Sequence, residues 1–179
     1  FTLDTNIDWR TGPVMTLRIF TTGGTIDKTY FDQKDHYHVG EPQASGVMER
    51  ANVTVDYDIV PILRKDSLDM TDQDRELIRV TIVADPATQV VVTHGTDTMA
   101  TTARHLAGIA GKTVVFTGSM YPAQYRDSDA VFNLGCALIA AQTLGHGVYI
   151  AINGQIFDPA RAVKNVERNR FEHDDRISV

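Results

Sequence analysis

Short runs of β-branched and aliphatic residues recur along the chain, and longer stretches with apolar positions at helical spacing lie between them. Strands are expected at 16–22 (TLRIFTT), 53–60 (VTVDYDIV), 89–93 (QVVVT), 113–117 (TVVFT) and 147–152 (GVYIAI). Three of these are nearly uninterrupted apolar segments, a pattern that parallel strands show when both faces are covered. Helices are expected over 71–84, 98–110 and 129–144. Thr71 is placed to cap the first, and Asp72 and Asp74 suit the positive end of its dipole. The third carries Val131, Leu134, Leu138 and Ile139 at core spacing, with Cys136 packed among them. Strand, helix, strand, repeated, implies right-handed crossovers and an α/β fold: a doubly wound, mostly parallel sheet with helices on both faces. Ligands bind such sheets outside the carboxyl ends of the strands, so function is sought in the residues that follow each strand.

A length of 179 residues holds one domain, or one plus a small appendage, and buries a sizeable core without covalent staples. Composition, with 42% hydrophobic and 22% charged residues, excludes disorder, collagen and coiled coil. No run approaches the about 18 apolar residues that a membrane span requires. The single cysteine, Cys136, forbids an intrachain disulfide and argues against a cysteine-built metal site, which fits a reducing, cytoplasmic location. A net charge of -6 offers no footprint for phosphates, so nucleic acid is not an expected partner. Residues 1–14 lack the basic and apolar regions of a secretory leader. They read as an added extension or a flexible arm, and 15–179 as one domain.

After the first strand stands Thr22-Gly23-Gly24-Thr25-Ile26, followed by a polar and aromatic stretch to about Glu41. Paired glycines let the backbone turn sharply and approach a ligand. Neither a dinucleotide fingerprint nor a P-loop fits, because the next glycine is Gly40. The stretch reads as a lid over a site. After the third strand comes His94-Gly95-Thr96-Asp97-Thr98-Met99, where two hydroxyls flank a carboxylate at an expected helix start. A plain helix start needs one such cap. The surplus, beside outward-pointing N–H groups, suits an amino acid's charged ends. Gly118-Ser119-Met120-Tyr121-Pro122 follows the fourth strand, and it lacks the second glycine of a nucleophile elbow. Lys164 stands among apolar neighbours after the last strand and by itself reads as a surface charge. His36 and His38, near Asp32 and Asp35, fix no set of metal ligands and read as part of a solvated lid. The acidic stretch around His173 reads as a frayed tail.

Together these segments resemble the bacterial-type L-asparaginase family. Thr22-Gly23-Gly24-Thr25-Ile26 and His94-Gly95-Thr96-Asp97-Thr98-Met99 resemble its two signature motifs, in the same order. Asp66-Ser67-Leu68-Asp69-Met70-Thr71 resembles its substrate-carboxylate loop, and Gly118-Ser119-Met120 its small-residue turn. The match runs from about Thr16 to Lys164, nearly all of the family's N-terminal domain. The resemblance implies Thr25 as principal nucleophile with Tyr37 assisting. It implies Thr96, Asp97 and Lys164 as a threonine-lysine-aspartate relay. Ser67 and Asp97 match the residues that grip the substrate's α-carboxylate and α-amino groups, and Gly24, Gly95 and Ser119 fall among the substrate-binding positions. A threonine hydroxyl is a poor nucleophile until a base takes its proton, and a lysine serves as that base only where burial favours its neutral form.

The activity so implied is hydrolysis of L-asparagine to L-aspartate and ammonia through a threonine acyl-enzyme, with no metal or organic cofactor. Glutaminase activity, an ammonia-supplying amidotransferase subunit, and a non-catalytic amino-acid-binding module are the alternatives. Typical members of the family add a smaller C-terminal domain that reaches into a neighbouring subunit's site. This chain is expected to hold only the N-terminal domain and to assemble as a homo-oligomer. Leu68 stands where the family often has a polar residue, which predicts weaker hold on the amino acid.

Overall fold

The computed structural model describes residues 17–30 and 37–174. In chain order the strands are β1 (Leu17–Gly23), β2 (Lys28–Tyr30), β3 (Tyr37–Val39), β4 (Tyr57–Lys65), β5 (Gln89–Thr93), β6 (Thr113–Thr117), β7 (Gly147–Ile152), β8 (Gln155–Phe157), β9 (Ala162–Asn165) and β10 (Arg170–His173). The helices are α1 (Ala44–Arg50), α2 (Asp72–Ala84), α3 (Met99–His105) and α4 (Ala130–Thr143). The segment 1–14 that reads as an extension or arm lies outside the described residues, as do His36, Asp32 and Asp35.

Six strands form the central sheet in the order β4-β1-β5-β6-β7-β8. All neighbours are parallel except β8, which returns antiparallel to β7 through a tight turn at Asn153-Gly154. Successive residues of a strand face opposite sides, and here both sides are covered. Val90 and Val92 of β5 join Phe116, Ile150, Ile78 and Met99 in one core, while Val91 joins Ile19, Val115, Leu134 and Ala151 in the other. That double burial explains why QVVVT and TVVFT are apolar at almost every position. It establishes the doubly wound, mostly parallel architecture.

Four elements differ from their expected form. The edge strand lies at Tyr57–Lys65 and not at 53–60. Pro61 within it faces Thr21 of β1, and β4 tolerates proline because, among the described residues, no strand pairs with its far side to receive an N–H. Helix α3 ends at His105, short of 110, where Gly108 at φ 84 and Gly111 at φ 72 turn the chain back toward β6. On α4, Leu134 and Leu138 are buried, but Val131 and Ile139 are exposed and Cys136 is only half-buried among them. The expected frayed tail is ordered through His173, for Glu172 pairs with Arg168 and Arg170 within the β9–β10 hairpin.

The carboxyl end of β1 carries the feature that shapes the site. Its register with β4 slips between Thr21 and Gly23, and a Cβ at Gly23 would lie 2.5 Å from the Lys65 carbonyl oxygen. The strand is thereby bent out of the sheet into Gly24 and a 3-10 turn at Thr25–Asp27.

Candidate active site

Four loops leave the carboxyl ends of neighbouring strands and pack closely against one another. Gly24, at φ 92, touches Gly95, and a Cβ on Gly24 would sit 2.3 Å from the Gly95 amide nitrogen. A Cβ on Gly95 would sit 2.6 Å from Ser67 Oγ, and one on Gly118 would meet the His94 carbonyl oxygen at 2.3 Å. The loops after β1, β4, β5 and β6 thus close on one another only because glycine stands at each contact. This brings the Thr25 turn, Ser67 and the Thr96-Asp97 turn together.

Each turn has its own fastening. Ser67 opens a 3-10 turn over Ser67–Asp69, where the Asp66 carboxylate accepts the Leu68 N–H at 3.1 Å. Thr98 donates its hydroxyl to the Ser67 carbonyl at 2.7 Å, tying the loop after β4 to the loop after β5. Ser67 Oγ is buried and has no hydrogen-bond partner among the described residues. Leu68 beside it is 71% exposed. Ser119 is fully buried and donates to the Tyr121 carbonyl at 2.5 Å, so its hydroxyl proton serves its own turn. Thr96 and Asp97 precede α3, which begins at Met99, and so lie in a turn before the helix.

Lys164 reaches this edge from the β9–β10 hairpin, 68 residues beyond Thr96. Its Nζ donates to Thr96 Oγ1 and to Asp97 Oδ1, each at 2.7 Å. The Lys164 side chain is 18% exposed and that of Asp97 37%, so the pair stands at a partly open surface. Tyr37 opens β3 and is registered opposite Tyr30 in β2. The assistance expected of its side chain lies outside the described residues. The two ends of the stretch expected to form a lid pair in this antiparallel ladder, and 31–36 between them lie outside the described residues.

The surrounding charges are uneven. Burial raises the Asp66 carboxyl, but hydrogen bonds from Lys28 and the Leu68 N–H, with the charges of Lys28 and Lys164, outweigh it and hold the pKa below its ordinary value. Lys28 Nζ lies 2.6 Å from Asp66. Asp27, two residues after Thr25, is pushed up to about 6, chiefly by burial, against the Gln43 N–H and the Arg64 charge. His94 is fully buried, and that burial takes it down to about 4; its Nδ1 lies 2.8 Å from the Gly95 carbonyl. It is a neutral core histidine that braces the Gly95 turn.

A lysine hydrogen-bonded to a hydroxyl and a carboxylate, on a loop packed against the glycine turn that precedes Thr25, is an arrangement able to pass protons. Such a set can activate a hydroxyl or a water for attack on a carbonyl. Among the described residues no group of three or more His, Cys, Asp or Glu side chains is placed to hold a metal ion.

The family description "Asparaginase, N-terminal" matches residues 16–173. The chain belongs to the asparaginase family. A "Probable L-asparaginase" of Deinococcus radiodurans is 48% identical over 88 residues, which are 46% of this chain and 27% of that one. A component of the glutamyl-tRNA(Gln) amidotransferase of Haloquadratum walsbyi is 30% identical over 173 residues, 90% of this chain and 38% of that one. Among solved structures, L-asparaginase I of Vibrio cholerae superposes with TM-score 0.76 and 31% identity, covering 89% of this chain and 51% of that one. The thermostable L-asparaginase of Thermococcus kodakarensis gives TM-score 0.75 and 28% identity over the same shares. The asparaginase-family chain therefore spans about half the length of these solved relatives.

Several residues around the site escape a reading of the sequence. Asp27 is signalled only by a charge following Ile26 in an otherwise small and apolar turn. Asp129 accepts the N–H groups of Met120 and Tyr121, fixing the Ser119 turn from the start of α4. Asn133 and Asn153 are amides in a helix and a tight turn, and neither carries a motif.

Proposed function

We propose that the chain hydrolyses the side-chain amide of L-asparagine to L-aspartate and ammonia. The observation that carries this reading is the pair of 2.7 Å hydrogen bonds from Lys164 to Thr96 and Asp97, on a loop packed against the Thr25 turn. Thr25 Oγ1 attacks the amide carbon, and its proton passes to the leaving nitrogen. The C–N bond breaks, ammonia departs, and an ester to Thr25 remains. Water attacks that ester, its proton passing through Thr96 to Lys164; as the C–O bond breaks that proton returns to the Thr25 oxygen, restoring the hydroxyl, and aspartate leaves. Asp97 steadies the ammonium that Lys164 becomes. Backbone N–H groups near Thr96 stabilise the oxyanion. Ser67 and Asp97 hold the α-carboxylate and α-amino groups, Tyr37 assists Thr25, and Gly24, Gly95 and Ser119 shape the walls.

The test is ammonia release from asparagine by the purified chain. Thr25→Ala, Thr96→Ala and Lys164→Met should each lower turnover by about two to four orders of magnitude with the circular dichroism spectrum retained. A wild-type chain that releases no ammonia sinks the reading, and a Lys164→Met variant of near-normal turnover removes Lys164 from it. The long match to the Haloquadratum walsbyi amidotransferase component supports a second reading, ammonia supplied to another acceptor. That reading predicts slow release from free asparagine until a partner is added. Homo-oligomeric assembly is supported by the exposed apolar face of Val131, Phe132 and Ile139 on α4, and a monomeric mass at micromolar concentration would count against it. No described helix is long and apolar enough to cross a membrane, and with one cysteine in the chain a cytoplasmic site of action is proposed.

A further inference from the structure

Lys164 sits on a hairpin that is not part of the main sheet: among the described residues β9 and β10 pair only with each other. Yet Nζ is placed 2.7 Å from two different side chains on a distant loop, which requires the hairpin to be held in one position. Apolar contacts hold its body. Phe171 lies 6.1 Å from Phe157, ring centre to ring centre, and Ala162 is in the core. Such contacts are non-directional and do not by themselves specify the hairpin's orientation.

Direction is supplied by hydrogen bonds: Arg104 Nη1 donates to the Pro159 carbonyl ahead of β9 at 3.0 Å, and two amides reach the hairpin itself. Asn133 on α4 is 1% exposed. Its Nδ2 donates to the Gly118 carbonyl at 3.0 Å and to Asp129 Oδ2 at 2.8 Å, and its Oδ1 accepts the Asn153 N–H at 3.1 Å. Both donor hydrogens and the acceptor of this buried amide are therefore used. Asn153, at the tight turn between β7 and β8, in turn accepts the Phe171 N–H on its Oδ1 at 2.9 Å. Phe171 stands directly opposite Lys164 in the β9–β10 ladder. Residues so paired have Cα atoms only about 4.5–5.5 Å apart, so the position of one backbone dictates that of the other. The chain of contacts runs from the Gly118-Ser119 turn through Asn133 and Asn153 to the strand facing Lys164.

We propose that Asn153, backed by Asn133, is a positioning residue that fixes Lys164 Nζ between Thr96 and Asp97. The inference rests on the role given to Lys164 above. It concerns a residue outside the relay that touches none of the reacting atoms. Misplacement of a reacting group by about 1 Å can cost roughly a hundredfold in rate, so loss of the tether should be felt in turnover more than in substrate hold.

The backbone offers clean variants. Asn153 has φ 53, a conformation open to glycine and tolerated by aspartate. Asn153→Gly keeps the turn and deletes the acceptor; Asn153→Asp keeps both. Asn153→Gly is expected to lower kcat for asparagine by about ten- to a hundredfold with KM changed less than about twofold. Asn153→Asp should restore most of kcat. Amide exchange over 162–173 should quicken in the glycine variant while 89–93 stays protected. Wild-type kcat in Asn153→Gly, loss of kcat with unaltered hairpin exchange, or failure of Asn153→Asp to rescue would each overturn the proposal. Should the wild-type chain release no ammonia, the functional reading falls, and the positioning is decided by the rate at which acetic anhydride labels Lys164. A rise of severalfold in Asn153→Gly supports it, and an unchanged rate overturns it.

Discussion

At Asp27 the fold buries a carboxyl two residues beyond Thr25, with only 1% of the residue exposed. One oxygen accepts the Gln43 N–H at 2.8 Å, and the other is buried with no hydrogen-bond partner among the described residues. The backbone of Asp27 also accepts the Gly40 N–H at 2.8 Å, so this residue fastens the Thr25 turn to the far root of the β2–β3 hairpin. Burial raises its pKa to about 6 from 3.8. The sign of the linkage follows. Below about pH 4 both folded and unfolded chains hold the proton and the burial penalty is absent. Between about pH 4 and pH 6 the unfolded chain releases the proton while the folded chain keeps it, so about 3 kcal/mol of stability is lost, and above 6 the folded chain carries the buried charge and the loss is complete. Asp27→Asn cannot ionise. Its unfolding free energy in urea, relative to wild type, should therefore improve by up to about 3 kcal/mol between pH 4 and pH 8. A difference that does not move with pH would show that Asp27 does not titrate in this range.

Among the elements, α2 was legible because its signal is local. Thr71 accepts the Asp74 N–H at 3.2 Å and Asp74 accepts the Thr71 N–H at 2.8 Å, a reciprocal cap written in four consecutive residues. Lys65 donates to the same carboxylate, and these hydrogen bonds hold Asp74 down to about 2. Thr71→Ala should cost about 1 kcal/mol, read as a lowered urea midpoint with unchanged slope. A midpoint within error of wild type would mean that Lys65 alone suffices. The strands β5, β6 and β7 were equally legible, since burial on both faces leaves almost no polar position in them. The edge strand β4 was misplaced because Val53, Thr54 and Val55 carry more strand propensity than a run interrupted by Pro61, and only the pairing with β1 tells them apart. The β9–β10 hairpin went unread because its residues are mostly polar and, among the described residues, its strands pair only with each other. The same holds within the site. Thr25, Ser67, Thr96 and Asp97 sit in compact motifs at strand ends, whereas Lys164 gained meaning only from the resemblance. Asn133 and Asn153 act through contacts 20 and 18 residues away in sequence, which no local pattern encodes.

Across the whole molecule the proposed substrate is measured against the sheet. The groups proposed to hold its charged ends, Ser67 and Asp97, follow β4 and β5, and the proposed nucleophile Thr25 follows β1, which lies between them. Neighbouring strands stand about 4.8 Å apart, and the glycine contacts among these loops leave no slack for adjustment. The separation between anchor and nucleophile is therefore a property of the sheet rather than of a flexible side chain. Glutamine is one methylene longer than asparagine. Held by the same α-groups, its amide carbon passes Thr25 by about 1 Å, and an offset of that size costs roughly a hundredfold. A pocket that merely excludes bulk discriminates one methylene by about 10–200-fold, so rigidity should place the preference in the upper part of that range. The measurement is kcat/KM for both amides under one set of conditions. A preference for asparagine near a hundredfold is expected, and a ratio under about ten would show that the spacing of the strands does not set the choice of substrate.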